Sequence, residues 1–280
     1  MKKLVIIFFF IPFYYLTAQC SDAGVCSIGG HVTESNKNSF SVSYNYGYSG
    51  SIDDIKYQSI NFSSKLFIND KSYISLFLPL GKQSGPLGST SGLGDLIAIY
   101  NYQIINNDDL NMFLSGGLKI ATSSFNKNNL LPQAYQSGLS TNDILAGISF
   151  MISDLNFSAG YQIAGGRNTE VFPELKRGDD LLIKGAYQFT FSDLQVQIEI
   201  LYIKRVCKSS VIAYNGLSNQ YYDIVGSDQG QLNLQLVGSL PLNENANLFG
   251  SFALPFIDRK INVDGLTRKF SVEFGASYNF

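Results

Sequence analysis

The sequence predicts an all-β fold: a transmembrane antiparallel β-barrel of about twelve strands, with short periplasmic turns and long extracellular loops. Three observations predict it. Apolar and polar residues alternate with period two in segment after segment. Those segments run to about 10–13 residues, where strands of soluble domains average nearer 5 or 6 and a tilted membrane strand needs roughly 9 to 11. The connections between them alternate short with long, as the two ends of an outer-membrane barrel require. A soluble sandwich also alternates, so strand length and turn asymmetry decide for the barrel.

The N-terminus reads as an address. Lys2 and Lys3 precede an apolar block from Leu4 to Leu16, and the small residues Thr17 and Ala18 follow. This is the pattern of a secretory signal peptide, assigned to residues 1–19. The block is too short to span a bilayer as a helix, which takes roughly 20 residues. The expected destination is the outer membrane of a Gram-negative cell. A lipid anchor on Cys20 is the competing reading, although a lipoprotein signal places a small residue before the cysteine and Gln19 stands there.

Residues 20–37 precede the first strand and carry Gly24, Gly29 and Gly30; they either plug the lumen or hang in the periplasm. Cys20 and Cys26 are near enough in sequence to close a small disulfide loop in an oxidising compartment, and two unpaired thiols are the other reading. Cys207 stands alone in an expected loop. No histidine cluster accompanies these cysteines, so no metal site and no cofactor is expected.

The barrel is assigned to residues 38–280. Its strands are expected at 39–49, 55–68, 72–80, 93–105, 110–122, 142–152, 155–165, 180–191, 194–206, 229–240, 247–257 and 269–280. Short turns fall at Asn69 to Lys71, Asn106 to Asp109, Ser153-Asp154, Ser192-Asp193 and Asn243 to Asn247. Longer loops occupy 81–92, 123–141, 166–179, 207–228 and 258–268. An even strand count puts both ends of the barrel on one side of the membrane.

Each strand has a greasy face for lipid and a polar face for the lumen. In the first, Phe40, Val42, Tyr44, Tyr46 and Tyr48 alternate with Ser41, Ser43, Asn45, Gly47 and Ser49. The ninth sets Leu194, Val196, Ile198 and Ile200 against Gln195, Gln197 and Glu199, and the tenth sets Leu232, Leu234 and Leu236 against Gln231, Asn233 and Gln235. Extending this assignment, the lumen is lined by Asp95, Asn101, Gln103, Lys119, Lys184, Gln195, Gln197, Glu199 and Glu273, with Gln162, Gln188 and Arg205 on the same face. Two readings of that lining stand: a hydrogen-bonded filling that closes the barrel, or a narrow polar conduit. Inward Ile97, Ile99, Phe113, Leu145 and Met151 suit a greasy solute or simple packing.

The hydrophobic fraction is 45%, yet beyond the N-terminal block the richest apolar runs, such as Ile148 to Ile152, are about five residues, which excludes a bundle of membrane helices. A net charge of −2 argues against a nucleic-acid partner. The only histidine, His31, precedes the barrel, so a His-activated serine hydrolase of the barrel type is not expected, nor is any other enzyme. The acidic pairs Asp53-Asp54, Asp108-Asp109 and Asp179-Asp180 read as solvated charges, Arg177-Gly178-Asp179 as turn chemistry, and Gly92 to Asp95 as a tight loop-to-strand corner.

Two resemblances add to this. The C-terminal run Phe270-Ser-Val-Glu-Phe-Gly-Ala-Ser-Tyr-Asn-Phe280 resembles the terminal strand of outer-membrane barrels, which implies that Phe274, Tyr278 and Phe280 are read by the barrel-insertion machinery. In the middle, Ser75-Leu-Phe-Leu-Pro-Leu80, Gly92-Leu-Gly-Asp95, Gly116-Gly-Leu-Lys119, Leu131-Pro-Gln-Ala-Tyr-Gln-Ser-Gly138, Asp143-Ile-Leu-Ala-Gly147 and Arg177-Gly-Asp-Asp180 follow the order seen in the meta-pathway phenol-degradation outer-membrane transporters. That likeness implies a channel passing small, hydrophobic or aromatic molecules between lipid-embedded walls. The alternative is a closed structural or surface-interaction barrel without transport.

Overall fold

The computed structural model describes residues 24–28, 37–107, 109–123, 131–214 and 219–280. Sixteen strands occur among them: β1 Ser39–Tyr48, β2 Lys56–Asn69, β3 Ser72–Gly85, β4 Gly88–Leu93, β5 Leu96–Asn106, β6 Asn111–Ile120, β7 Asp143–Ile152, β8 Leu155–Ile163, β9 Leu175–Lys176, β10 Asp180–Phe191, β11 Leu194–Arg205, β12 Ser210–Tyr214, β13 Asn219–Asp223, β14 Gly230–Pro241, β15 Ala246–Ile257 and β16 Phe270–Asn279. Twelve of them, all but β4, β9, β12 and β13, form one antiparallel wall, which closes because β2 pairs with both β1 and β3. The first and last wall strands, β1 and β16, meet in register from Ser39↔Asn279 to Tyr48↔Phe270. Closure is what the solvent demands, since each unpaired backbone group in hydrocarbon costs several kcal/mol.

The expected strands and the wall strands coincide to within three residues at nearly every end. The exceptions lie on the long-loop side. The Gly-rich stretch 81–92, expected as a loop, continues β3 and returns as β4, paired from Leu80↔Leu93 to Gly85↔Gly88. The stretches 166–179 and 207–228 hold β9, β12 and β13, which form a small separate sheet above the wall. Turn-like composition marks where the lipid-facing pattern stops; it does not stop backbone pairing, which continues in water wherever two segments lie side by side.

The alternating faces sort as expected. Phe40, Val42, Tyr44, Leu194, Ile198, Ile200, Leu236, Phe274, Tyr278 and Phe280 stand exposed on the outer surface, while Ser43, Asn45, Glu199, Gln231 and Asn233 are buried inside. An apolar belt of this extent has no place on a water-soluble monomer, whose largest exposed apolar patch is typically about 300–600 Å². It is a surface of the kind that faces lipid. No helix among the described residues is long and apolar enough to cross a membrane; the crossing is made by strands.

Candidate functional site: an ion-paired, closed lumen

The residues expected to line the lumen divide by height. Asp95 and Lys119 are buried at the long-loop end and lie together, Lys119 Nζ 3.7 Å from Asp95 Oδ2. Asn101, Lys184 and Glu199 are buried further down, where Asn101 Oδ1 accepts from Ser115 Oγ at 2.7 Å. Gln103 donates to Asn111 Oδ1 at 3.0 Å, Gln197 to Glu199 Oε1 at 2.7 Å, and Glu273 accepts from Ser43 Oγ at 2.5 Å. Gln195 stands exposed at the short-turn rim, one residue into β11, and lines nothing. The structure therefore brings two of the nine into one cluster, leaves Gln195 at the rim and spreads the other six along the inner wall.

That cluster is the main feature of the lumen. Lys119 reaches Asp143 Oδ2 at 2.7 Å; Arg177 reaches Asp143 at 3.3 Å, Asp180 at 2.7 Å and Asp264 at 3.0 Å. Arg205 joins Asp180 at 3.1 Å and Asp264 at 2.6 Å, and Arg259 joins Asp180 at 3.3 Å. Four cations meet four carboxylates, Asp95, Asp143, Asp180 and Asp264, and all eight residues are buried. Strand register explains the gathering. Lys119 pairs across to Asp143, and Asp180 pairs to Gln162 on one side and Arg205 on the other. Gln162 also donates to Asp143. Charges taken out of water are tolerated only when ion-paired and hydrogen-bonded in this way.

The short motifs singled out in the sequence each deliver part of it. Gly92–Asp95 brings Asp95, Gly116–Lys119 brings Lys119, Asp143–Gly147 brings Asp143, and Arg177–Asp180 brings Arg177 and Asp180. One reading is corrected here and another extended. Asp180 is not a solvated loop charge but is buried under three guanidinium groups, because the loops fold inward over the rim and exclude water. The tight corner at Gly94 is real, since a Cβ there would stand 2.5 Å from Pro79 Cγ. Its Asp95 does more: the carboxylate accepts from Leu139 N at 2.7 Å and Ser140 N at 3.0 Å, pinning residues 131–142 into the barrel mouth.

Just below the charges lies an apolar layer. Ile97, Ile99, Leu145, Leu182, Leu201 and Ile203 point inward from the wall, and Leu139 and Leu266 reach down to them from the loops. Ile28, 1% exposed, completes the cluster from a short 3-10 turn, Gly24–Ser27, that packs against β7, β8 and β10. Gly147 makes room for it, for a Cβ there would stand 2.3 Å from Ile28 Cγ2. Cys26, on that turn, is disulfide-bonded, and Cys207 is an exposed free thiol. Cys20 and His31 lie outside the described residues. Among the described residues, no group of His, Cys, Asp and Glu is arranged to hold a metal.

The loops also hold one another. Asn168 Nδ2 donates to Gln133 Oε1 at 2.8 Å, and Arg167 donates to Ser210 O at 3.0 Å while lying 4.0 Å above the Tyr221 ring. Asp264 fastens residues 258–269 to the wall. Burial alone would raise its pKa, but Arg205, Arg177 and Arg259 override that and hold its carboxyl well below the ordinary carboxylate range. A group depressed on folding contributes fully above its unfolded pKa, near 4, and is lost only as pH falls through the lower folded value. Acidification from pH 7 to 4.5 should therefore leave the loop in place. Hydrogen-exchange protection of amides 258–269, corrected for intrinsic rates, should be the same at both; protection lost by pH 4.5 would contradict this.

Asp143 was within reach of period-two reading, because it shares a face with Leu145 and Gly147 beside Lys119. Arg177, Arg259 and Asp264 sit on connections, where no periodicity says which way a side chain turns.

These features define a closed twelve-stranded antiparallel barrel with a lipid-type outer face and a lumen shut by ion pairs, apolar side chains and inward-folded segments. This is the architecture of outer-membrane barrels. No family model and no curated protein matches the chain. Solved structures do match. An outer-membrane channel of Pseudomonas putida F1 superposes with a TM-score of 0.61 at 13% identity, covering 89% of this chain and 97% of that one. The TodX monoaromatic hydrocarbon channel, in a deltaS2 mutant, gives 0.52 at 9% identity over 95% and 97%, and the NanC porin 0.51 at 12% over 87% and 100%. At such identities the likeness is one of fold.

Proposed function

We propose that this protein is an outer-membrane channel for small hydrophobic or aromatic molecules, held shut by parts of its own chain that do not belong to the wall. One observation carries the reading. The lumen is filled at its middle by Ile28, Leu139 and Leu266, which come from the N-terminal segment and two loops rather than from wall strands. A barrel built only as a scaffold closes with its own wall side chains. Segments tied at one or both ends can withdraw, and withdrawal would leave a passage ringed by Ile97, Ile99, Leu145, Leu182, Leu201 and Ile203. Such a ring suits an apolar solute.

The motifs resembling phenol-degradation transporters fall on this closure, and one of the structurally similar barrels is a monoaromatic hydrocarbon channel; both support the same solute class. No step of this function calls for a catalytic group or a cofactor. The test is uptake of a radiolabelled aromatic by lipopolysaccharide-bearing cells that make or lack the protein. Faster entry in the producing cells is expected. Equal rates, together with silent planar bilayers, would instead favour a closed structural barrel.

A further inference from the structure

We propose that the guanidinium pair of Arg177 and Arg205 is a binding site for the carboxylate of an acid with an apolar body, and that Asp264 occupies it as a tethered stand-in for that ligand. The proposal rests on the channel reading and names the class of solute the channel would select.

The donors of the two arginines divide by what they face. Arg177 gives Nη2 to Asp180 at 2.7 Å and Nη1 to Asp143 at 3.3 Å, and Arg205 gives Nε to Asp180 Oδ1 at 3.2 Å. These carboxylates stand at the ends of wall strands and fix the planes of the guanidinium groups. Arg205 Nη1 gives to Ser209 Oγ at 3.4 Å, and its Nη2 is shared, 3.1 Å from Asp180 Oδ2 and 2.6 Å from Asp264 Oδ2. Arg177 Nε, at 3.0 Å, converges with that Nη2 on the same Oδ2 of Asp264. Asp264 belongs to no strand. It sits at the turn of the connection between β15 and β16, followed by Gly265 at φ +74. The end of β11 and the connection leading into β10 thus present two oriented cationic donors, Arg205 and Arg177, and a different loop supplies the anion.

The surroundings say what kind of anion fits. Leu182 follows Asp180 by two residues along β10, and Ile203 precedes Arg205 by two along β11, so each charged position has a buried apolar neighbour directly beneath it on the inner face. The loop matches both levels. Asp264 meets the guanidinium groups, and Leu266, two residues on, enters the apolar cluster. A carboxylate joined to a short hydrocarbon is what the site already holds, built from two side chains of one loop. Convergent guanidinium donors favour a carboxylate over a neutral hydroxyl, because charge-assisted bonds are about twice as strong. A free acid of this shape would take the donors and release residues 258–269 from the mouth.

The test uses the full chain in detergent at pH 7.5, with benzoate as probe and benzyl alcohol as its neutral counterpart, both titrated calorimetrically. Asp264→Ala removes the tethered competitor, whose effective concentration is in the millimolar range or above. It should bind benzoate at least tenfold more tightly than the wild type, with benzyl alcohol unchanged. Adding Arg177→Gln should abolish the gain. Unchanged benzoate affinity in Asp264→Ala, or an equal gain for benzyl alcohol, would overturn the proposal. Different gel migration of boiled and unboiled samples verifies that each variant is folded.

A second measurement needs no variant. Saturating benzoate, but not benzyl alcohol, should speed trypsin cleavage within residues 258–269 of the wild type; no acceleration counts against the proposal. Failure of the channel reading looks different. Silent bilayers and absent uptake with benzoate binding intact would leave this site standing, whereas normal conduction without benzoate preference would remove the site alone.

Discussion

Gly147→Val should convert the closed barrel into a conducting one, raising the single-channel conductance in planar bilayers several-fold over the wild type. The reason is steric. A first side-chain carbon at this position already falls 2.3 Å from Ile28 Cγ2, and valine adds two methyl groups to it. Overpacking of this kind costs typically 1–3 kcal/mol. The N-terminal segment escapes that cost by leaving, and the burial that holds Ile28 is worth only about 1.5–3 kcal/mol. Gly147 also lies close to the carbonyl of Ala159 on β8, so part of the effect could come from the wall. Ile28→Gly separates the two causes, since it removes the anchor and leaves the wall alone. Loss of about 1.5–3 kcal/mol corresponds to roughly a 10- to 150-fold shift toward the withdrawn state, at tenfold per 1.4 kcal/mol. If both variants conduct like the wild type, this segment does not close the lumen.

Asp180→Ala should be the most destabilising single substitution in the mouth of the barrel. Asp180 accepts from Arg177 at 2.7 Å, Arg205 at 3.1 Å and Arg259 at 3.3 Å, and all four residues are buried. Taking the carboxylate away strands three guanidinium groups in a dry interior, and removing one member of a buried ion pair costs about 3–5 kcal/mol. Denaturant titration of the folded barrel in detergent should show a lower midpoint with an unchanged slope. Asp264→Ala makes the control. Its direct partners are two of those three arginines, Arg177 and Arg205, but its loop can lift and admit water, so its cost should be clearly smaller. Equal losses in the two variants would mean that the wall and the loop share one rigid core.

The wall was legible in the text of the chain, and the reason is physical. A strand facing lipid on one side and lumen on the other must alternate at every step, so Leu194 to Ile200 and Phe270 to Phe280 announce both their conformation and their orientation. The ends of strands were legible where a two- or three-residue turn stands between them. On the other side, Gly81 to Gly92 reads as loop because glycine and serine carry no facing preference, yet β3 and β4 pair straight through it.

The site was half legible for the same reason. Asp95 and Lys119 sit at strand ends and inherit a face from their neighbours. Asp264 and Arg177 acquire theirs only when their connections fold over the mouth, a choice made by partners far away in the chain. Asp179 and Asp180 show how fine the distinction is: Asp179 accepts from Tyr161 Oη at 3.1 Å, while its neighbour is enclosed among arginines.

The joint between β1 and β16 has a consequence for how the molecule comes into being. Its partners are Ser39 and Asn279, almost the whole barrel apart along the chain, and Phe280 N donates to Asn38 O at 2.8 Å beyond them. Hairpins elsewhere can zip as soon as they are made, but this bond line waits for β16. Until then the growing sheet has two open margins, each able to capture a stranger. Without β16, β1 and β15 would each keep an open edge.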